Sequence, residues 1–363
     1  MRTGLVFGLA GLAAMTTLAT AQPAAAQADP CIELGQYIDP DGDDIWTAPP
    51  SNAAALDAAN RCIAAQGGTA NLYGIRAYIH RLMGNYDLAD ADATRRIEVD
   101  PSANAYRNRA IIRENAGKQE EAIADLRVSL RLGYNRPAVV HRQIASSLRQ
   151  LGRYSEALAA VDVSASLDPA YEWALYERGR IFTDQERWDE AIGAWTRYIA
   201  QNGSNVDAYI YRSTAFTRLE RWNDALADAD RAIQLNPRSA GAVNNRGFVL
   251  HNLGRYSESI SAFRRAIQLD PDNTAAWDNL CGYLTDANDP AGALVACDRR
   301  ESLPGVTRQD RARISSLRGI AYEALGDVPG AVRAFRTALS NPDAHARTRE
   351  RAEAGLLRLG YRD

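Results

Sequence analysis

The side chains that most often carry catalysis are few in this chain and widely separated. The four histidines are His80, His141, His251 and His345, and none has a cysteine, serine or carboxylate at triad-like or metal-ligand spacing within its own segment. The sequence contains no glycine-rich phosphate loop, no GxSxG and no HExxH. We therefore expect no catalytic residues, no metal and no cofactor, and interpret the chain as a non-enzyme.

Three aspartates have the spacing of the first ligands of a calcium loop. Asp39, Asp41 and Asp43 alternate along YIDPDGDDIWTAPP. An EF-hand loop needs glycine where Asp44 stands and glutamate where Pro50 stands. The segment is therefore predicted to be an acidic loop without a metal ion.

The amino terminus has the features of a secretory signal peptide. Arg2 precedes a short apolar run from Leu5 to Leu18, which small-residue cleavage sites follow. The run is too short for a transmembrane helix. Residues 1–28 are thus predicted to direct export. The bias toward alanine, and toward arginine over lysine, favours the periplasm of a Gram-negative bacterium.

Export changes the interpretation of the four cysteines. An even number of cysteines in an oxidising compartment favours disulfides, and four allow three pairings. The alternative is that some are small apolar core residues. A zinc site is not expected, because neither a CxxC spacing nor a nearby histidine accompanies them. They are Cys31, Cys62, Cys281 and Cys297.

One short pattern recurs eight times at intervals of 33 to 38 residues. Its anchors are Gly84, Gly117, Gly152, Glu186, Glu220, Gly254, Asn288 and Gly326. Five residues after each anchor stands a small residue: Ala89, Ala122, Ala157, Ala191, Ala225, Ser259, Ala293 and Ala331. Seven residues before each stands another: Ala77, Ala110, Ala145, Gly179, Ser213, Gly247, Cys281 and Gly319. A fixed period of this length is typical of a solenoid of stacked units.

Each unit contains two helical stretches. In the sixth, residues 244–253 and 257–269 flank Gly254, which suits the left-handed turn that ends a helix. Pro271 closes the unit, because a proline disfavours helix in the residue before it. Small residues near the middle of each helix allow two antiparallel helices to approach closely.

The pattern resembles the tetratricopeptide repeat over residues 70–345. An aromatic residue follows the turn in five units, as Tyr86, Tyr154, Trp188, Trp222 and Tyr256, and closing prolines include Pro101, Pro169, Pro237 and Pro271. The resemblance implies an all-α, right-handed superhelix of about eight hairpins. Residues 29–69 are predicted to form an N-terminal loop and cap helix, and residues 346–363 a C-terminal cap helix.

The resemblance also implies that the first helix of each hairpin lines a concave groove, where a peptide or protein binds. The groove positions carry the arginine and aromatic types that dominate binding hot spots, together with polar residues. They are Arg142, Arg149, Trp173, Tyr176, Arg180, Asn244, Phe248 and His251. Some members hold a C-terminal carboxylate through lysine and asparagine, but no lysine stands at these positions, so that activity is not carried over.

Pairs of residues sixteen apart lie on facing helices of one hairpin. Arg76, Arg109 and Arg212 each precede an aspartate at this spacing, namely Asp92, Asp125 and Asp228, and structural ion pairs are predicted. Arg178, Arg246 and Arg318 lack that aspartate. Cys281 and Cys297 have the same spacing, which predicts one disulfide between them and a second between Cys31 and Cys62.

Composition makes nucleic acid an unexpected partner. The net charge is −3, Lys118 is the only lysine among 42 basic residues, and no polybasic cluster is present. The predicted function is a periplasmic scaffold that binds a protein or peptide in its groove. The alternative is a structural or assembly factor of an envelope machine, in polysaccharide export or in outer-membrane or cell-wall assembly, acting through its outer face. The oligomeric state is left open.

Overall fold

The computed structural model describes Cys31 and residues 51–361 of the chain. The predicted signal peptide and the acidic loop at residues 37–50 lie outside the described residues. Within them the chain forms eighteen α-helices and no strand. The helices fall into two compact units that divide between Lys118 and Gln119.

The first unit contains four helices, α1 (Asn52–Gln66), α2 (Ala70–Leu82), α3 (Tyr86–Val99) and α4 (Ala103–Asn115). The helix α1 covers the residues of the predicted N-terminal cap helix and packs on α2, where its alanines and Cys62 meet Ile75 and Ile79. Cys31 is bonded to Cys62, with their Cα atoms 5.0 Å apart. This disulfide joins the chain before α1 to the core of the unit.

The second unit contains the remaining fourteen helices. They are α5 (Gln119–Arg131), α6 (Pro137–Gln150), α7 (Tyr154–Leu167), α8 (Glu172–Asp184), α9 (Trp188–Gln201), α10 (Val206–Arg218), α11 (Trp222–Leu235), α12 (Ala240–Asn252), α13 (Tyr256–Leu269), α14 (Thr274–Tyr283), α15 (Pro290–Ser302), α16 (Arg308–Ala324), α17 (Val328–Leu339) and α18 (Ala346–Arg358). From α6 onward, consecutive helices pack in pairs as hairpins, and α18 packs on the last pair. The predicted fold class, a repeat of tetratricopeptide-like helical hairpins, is confirmed.

The anchor residues make the turn within each hairpin. Every anchor has a positive φ, from 72° to 77° at the five glycines. The other three are Glu186, Glu220 and Asn288, at 57°, 56° and 61°. The left-handed conformation costs a residue with a Cβ about 1–2 kcal/mol, which explains why glycine occupies most of these positions.

The small position of the first helix receives the side chain that lies sixteen residues later in the second helix. A Cβ on Gly179 would lie 2.6 Å from Trp195, and one on Gly247 would lie 2.7 Å from Phe263. In the seventh hairpin the same position is Cys281, which is bonded to Cys297 with their Cα atoms 4.7 Å apart. The disulfide therefore replaces a small-to-large side-chain contact.

Arginine–aspartate pairs join the helices in two ways. Arg76 and Arg212 each make a two-pronged pair with the aspartate sixteen residues later, as predicted. Arg178 and Arg246 instead pair with aspartates sixteen residues earlier, in the preceding hairpin. The predicted pair of Arg109 and Asp125 falls on either side of the boundary between the units and stays a prediction.

No helix within residues 51–361 combines the length and the apolar character needed to cross a bilayer.

Candidate partner-binding site

The first helices of the second unit form a continuous layer. Each of α6, α8, α10, α12 and α14 contacts the first helix of the next hairpin as well as its own partner. In the described part of the chain, the second helices of neighbouring hairpins contact each other less than the first helices do. In a curved stack the more closely spaced layer lies on the inside, so the first helices line the inner face of this unit.

Five aromatic rings from α8, α9 and α10 pack together, and we call them the aromatic patch. Trp173 and Tyr176 stand on α8, with ring centroids 5.2 Å apart. Tyr176 contacts Trp195 and Tyr198 of α9 at 5.1 and 5.3 Å, and Trp195 stacks on Tyr211 of α10 at 5.1 Å. Aromatic pairs at these separations stabilise one another beyond the area they bury.

The base of the patch is rigid and its rim is open. Trp195 fits against Gly179 and donates its indole N–H to Oγ1 of Thr183 at 3.2 Å, and Asn205 donates to the Tyr198 hydroxyl at 3.0 Å. Both of these rings are fully buried, whereas Tyr176 and Tyr211 are half-buried and Trp173 is 40% exposed. Burial raises the pKa of the Tyr176 hydroxyl, which therefore stays protonated at neutral pH.

Two arginines, one on α8 within the patch and one on the neighbouring first helix α6, have no carboxylate partner among the described residues. The Arg180 guanidinium lies over the Tyr211 ring, 5.1 Å from its centroid, and also interacts with the Tyr176 hydroxyl. Arg142 occupies the position equivalent to Tyr176 in the preceding first helix, and its buried Nε has no hydrogen-bond partner. The patch is thus apolar at its centre, with unpaired guanidiniums on α6 and α8. The carboxylates of Glu172 and Asp207 also lie within electrostatic range of its tyrosines.

Arg149 was predicted to be a groove residue, and in the structure two carboxylates neutralise its charge. Its Nε lies 2.7 Å from Glu177 and its Nη1 lies 2.5 Å from Asp184, both on α8. Burial acts to lower the pKa of Arg149, but the two carboxylates outweigh it and hold the pKa above its ordinary value. Arg149 therefore ties α6 to α8.

The remaining predicted groove residues lie on α12, apart from the patch. Asn244 accepts a hydrogen bond from Asn279 of α14 at 2.9 Å. His251 stacks on Tyr283 at 3.7 Å, its Nε2 lies 3.4 Å from Asp286, and Phe248 packs near the same Tyr283 ring at 6.1 Å. These contacts link neighbouring first helices, so the α12 group is more strongly built into the core than the sequence suggested.

Tyr211 and Tyr283 were missed by the sequence analysis. Tyr211 stands 34 residues after Glu177, whose place in the unit was not among the predicted groove positions, so the repeat register did not identify it. Among the described residues no three His, Cys, Asp or Glu side chains are arranged to hold a metal ion.

Comparisons with known proteins agree with this architecture. Two sequence models described as tetratricopeptide repeat match residues 142–207 and 212–277. Comparison with curated protein sequences finds no match.

Solved structures share the fold at low sequence identity. A tetratricopeptide repeat protein from Parabacteroides merdae is 17% identical, with a TM-score of 0.56, and the match covers 70% of this chain and 99% of that one. PilW, a type IV pilus biogenesis factor, is 19% identical with a TM-score of 0.53, over 60% of this chain and 98% of its own. Yeast Tom70 is 16% identical with a TM-score of 0.55, over 80% of this chain and 62% of its own.

Proposed function

The chain is a tetratricopeptide-repeat protein, and from this we propose that it is an exported, non-enzymatic scaffold that binds an extended segment of another protein along its first-helix layer. The aromatic patch is the observation that carries the proposal. A tryptophan with 40% of its surface exposed, on a base of fully buried rings, is an arrangement typical of binding hot spots.

The chemistry of the patch indicates the chemistry of its ligand. Trp173, Tyr176 and Tyr211 offer ring faces and edges to an apolar or aromatic side chain. Arg142 and Arg180 offer guanidinium groups that make no ion pair with any carboxylate of the described residues. An extended segment with an apolar residue next to an acidic one matches both features.

Export is supported by the sequence of residues 1–28 and by the cysteines. All four cysteines are paired, as Cys31–Cys62 and Cys281–Cys297. Structural disulfides persist in oxidising compartments such as the bacterial periplasm, and are rare in the cytosol of mesophiles. We therefore place the proposed scaffold in the periplasm of a Gram-negative bacterium.

One observation favours the alternative, an envelope assembly factor that acts through its outer face. A cleft of about 520 Å³ opens between α11, α12 and α13, where Ile233, Val243 and Ala262 form its apolar part. At its edge Arg246 pairs with Asp230 and Glu258 with Arg255, while Arg265 contacts only Gln268 among the described residues, at 3.4 Å. The described lining of the cleft has no aromatic ring, whereas the aromatic patch joins exposed rings to unpaired guanidiniums, and for this reason the patch is the favoured site.

Site-specific photocrosslinking in the producing cell distinguishes the two faces. Trp173 is replaced by p-benzoylphenylalanine, and Tyr256, an aromatic of similar exposure at the start of a second helix, is replaced in a parallel strain. We expect residue 173 to crosslink one partner, whose attached peptide is identified by mass spectrometry. Adding Arg142→Gln and Arg180→Gln should weaken that crosslink. A crosslink at residue 256 with none at residue 173 would refute the proposal in favour of the outer face.

A further inference from the structure

A group of four charged residues sits where α14, α15 and α16 meet. Asp278 lies 2.6 Å from Arg313 and 2.9 Å from Arg300. Asp310 lies 3.3 Å from each of the same two guanidiniums. Two carboxylates thus neutralise two arginines, and this group has no net charge.

The last helix adds two positive charges beside that neutral group. The helix α18 packs against α16, and its Arg347 and Arg351 make no ion pair and no side-chain hydrogen bond within the described residues. Glu350 and Glu353 stand on the same helix, yet neither comes within ion-pair distance of them. The charge of the pair is uncompensated.

Arg351 is only partly exposed, which makes its lack of a partner costly. Burial lowers the pKa of Arg351, and the positive charges of Arg347 and Arg313 lower it further. The charges of Arg347 and Arg351 act to lower the pKa of the Tyr283 hydroxyl on α14, although burial raises it. This hydroxyl is therefore within electrostatic range of the two unpaired guanidiniums, which stand one helical turn apart on α18.

From this arrangement we propose that Arg347 and Arg351, with Tyr283, form an oxyanion site that binds carboxylates of an acidic segment of the partner. The inference deepens the proposed function and rests on it. Guanidinium groups bind carboxylates in two-pronged geometry and retain their charge at any physiological pH. A bound carboxylate would supply the counter-charge that the folded chain lacks here.

The site is continuous with the inner face. Tyr283 stacks on His251 of α12 and lies near Phe248, and Arg313 belongs to the first helix α16. Arg347 is exposed, so a segment lying along the first helices can reach it. Acidic residues toward one end of the bound segment would meet Arg347 and Arg351.

The test uses the mature protein and a defined probe. The probe is a fluorescein-labelled peptide of five Glu–Gly repeats, about ten residues, with both ends blocked so that only side-chain carboxylates are present. A Gln–Gly peptide of the same length is the neutral control, and binding is followed by fluorescence anisotropy at low salt. Arg347→Gln and Arg351→Gln remove one guanidinium each, and Arg333→Gln is the matched control at an exposed, unpaired arginine of α17.

We expect the Glu peptide to bind and the Gln peptide not to bind. Each of Arg347→Gln and Arg351→Gln should weaken binding about tenfold, as loss of one charge-assisted contact predicts. Arg333→Gln should leave it unchanged. Arg351→Gln should unfold at the wild-type temperature or above, because Arg351 makes no bond to lose, and this separates binding from folding.

Two outcomes would overturn the oxyanion site. One is equal binding of the Glu peptide by wild type and Arg351→Gln; the other is displacement by inorganic phosphate at lower concentration than by unlabelled peptide, which would make a free anion the ligand. If the peptide fails to bind but residue 173 still crosslinks a partner, the scaffold function stands without this site.

Discussion

Gly247 and Phe263 lie in such close contact that a Cβ on Gly247 would be 2.7 Å from the ring. Phe263 is fully buried, and its ring fills the space that a side chain on α12 would need. Gly179 with Trp195, and Gly319 with Phe335, repeat the arrangement in two other hairpins. Close approach of the two helices therefore depends on the absence of a Cβ at these positions.

We predict opposite effects for two glycines of α12. Gly247→Ala should lower the free energy of unfolding by about 1–3 kcal/mol, because the new methyl group displaces a buried ring. Gly241→Ala should raise it by up to about 1 kcal/mol, since no atom lies within 4 Å of its Cβ and alanine favours helix. Urea unfolding of the two variants measures both values. Equal destabilisation would mean that contact with Phe263 does not determine the cost.

A second contrast concerns arginine pairs. Arg212 holds Asp228, whose side chain is 8% exposed, while Arg221 holds Asp224, whose side chain is 51% exposed. Arg212→Ala leaves a buried carboxylate unpaired and should cost about 3–5 kcal/mol. Arg221→Ala breaks a surface pair and should cost less than about 1 kcal/mol. Chemical unfolding tests the difference, and similar costs would contradict a buried role for Asp228.

The internal geometry of one hairpin was predictable from the sequence, and contacts between hairpins were less so. The turn residues followed from spacing, because only a left-handed residue continues the chain between two such helices. Arg178 and Arg246 lack the aspartate that would pair with them in their own units, and each pairs with an aspartate of the preceding hairpin. Arg149 likewise binds carboxylates of the next first helix. Such pairs depend on how neighbouring hairpins stack. The sixteen-residue spacing between facing positions of one hairpin carries no information about that stacking.

The position of the candidate residues on a first helix was predictable from the repeat, but their surroundings were not. Trp173 and Tyr176 were identified from their positions on a first helix. Trp195 and Tyr198 of the second helix support them, and neither was among the predicted groove residues. The oxyanion site on α18 was not foreseen, since this helix was interpreted only as a polar cap.

The disulfides should contribute to stability in the oxidised protein. Replacing Cys281 and Cys297 with alanine removes a cross-link between residues 16 positions apart. The free energy of unfolding should fall by about 3 kcal/mol, because the unfolded chain gains conformational entropy. The same change at Cys31 and Cys62, 31 residues apart, should cost about 3–4 kcal/mol. Peptide mapping without reductant identifies the pairs directly. Free thiols, or a Cys62–Cys281 link, in protein from the periplasm would contradict the assignment.

The histidines should make stability depend on pH in the mildly acidic range. Burial lowers the pKa of His141 below its ordinary value of 6.5, and no neighbouring carboxylate opposes it. The folded chain then binds fewer protons than the unfolded chain between the two pKa values, so stability is complete above pH 6.5 and falls as the pH drops through this window. Burial also lowers the pKa of His80 and His251, although an aspartate acts against it in each case.

We predict that His141→Gln reduces this acid-induced loss without abolishing it. Glutamine does not titrate, so the contribution of residue 141 disappears, while those of His80 and His251 remain. Urea midpoints are measured at steps from pH 8 to pH 5 in wild type and variant, and each series gives the slope of stability against pH. The difference between the two midpoints at pH 8 gives the packing cost of the substitution. Below pH 6.5 the curves should converge as the pH falls. Parallel curves across the whole range would show that the side chain of His141 is as free to take up a proton in the folded protein as in the unfolded chain.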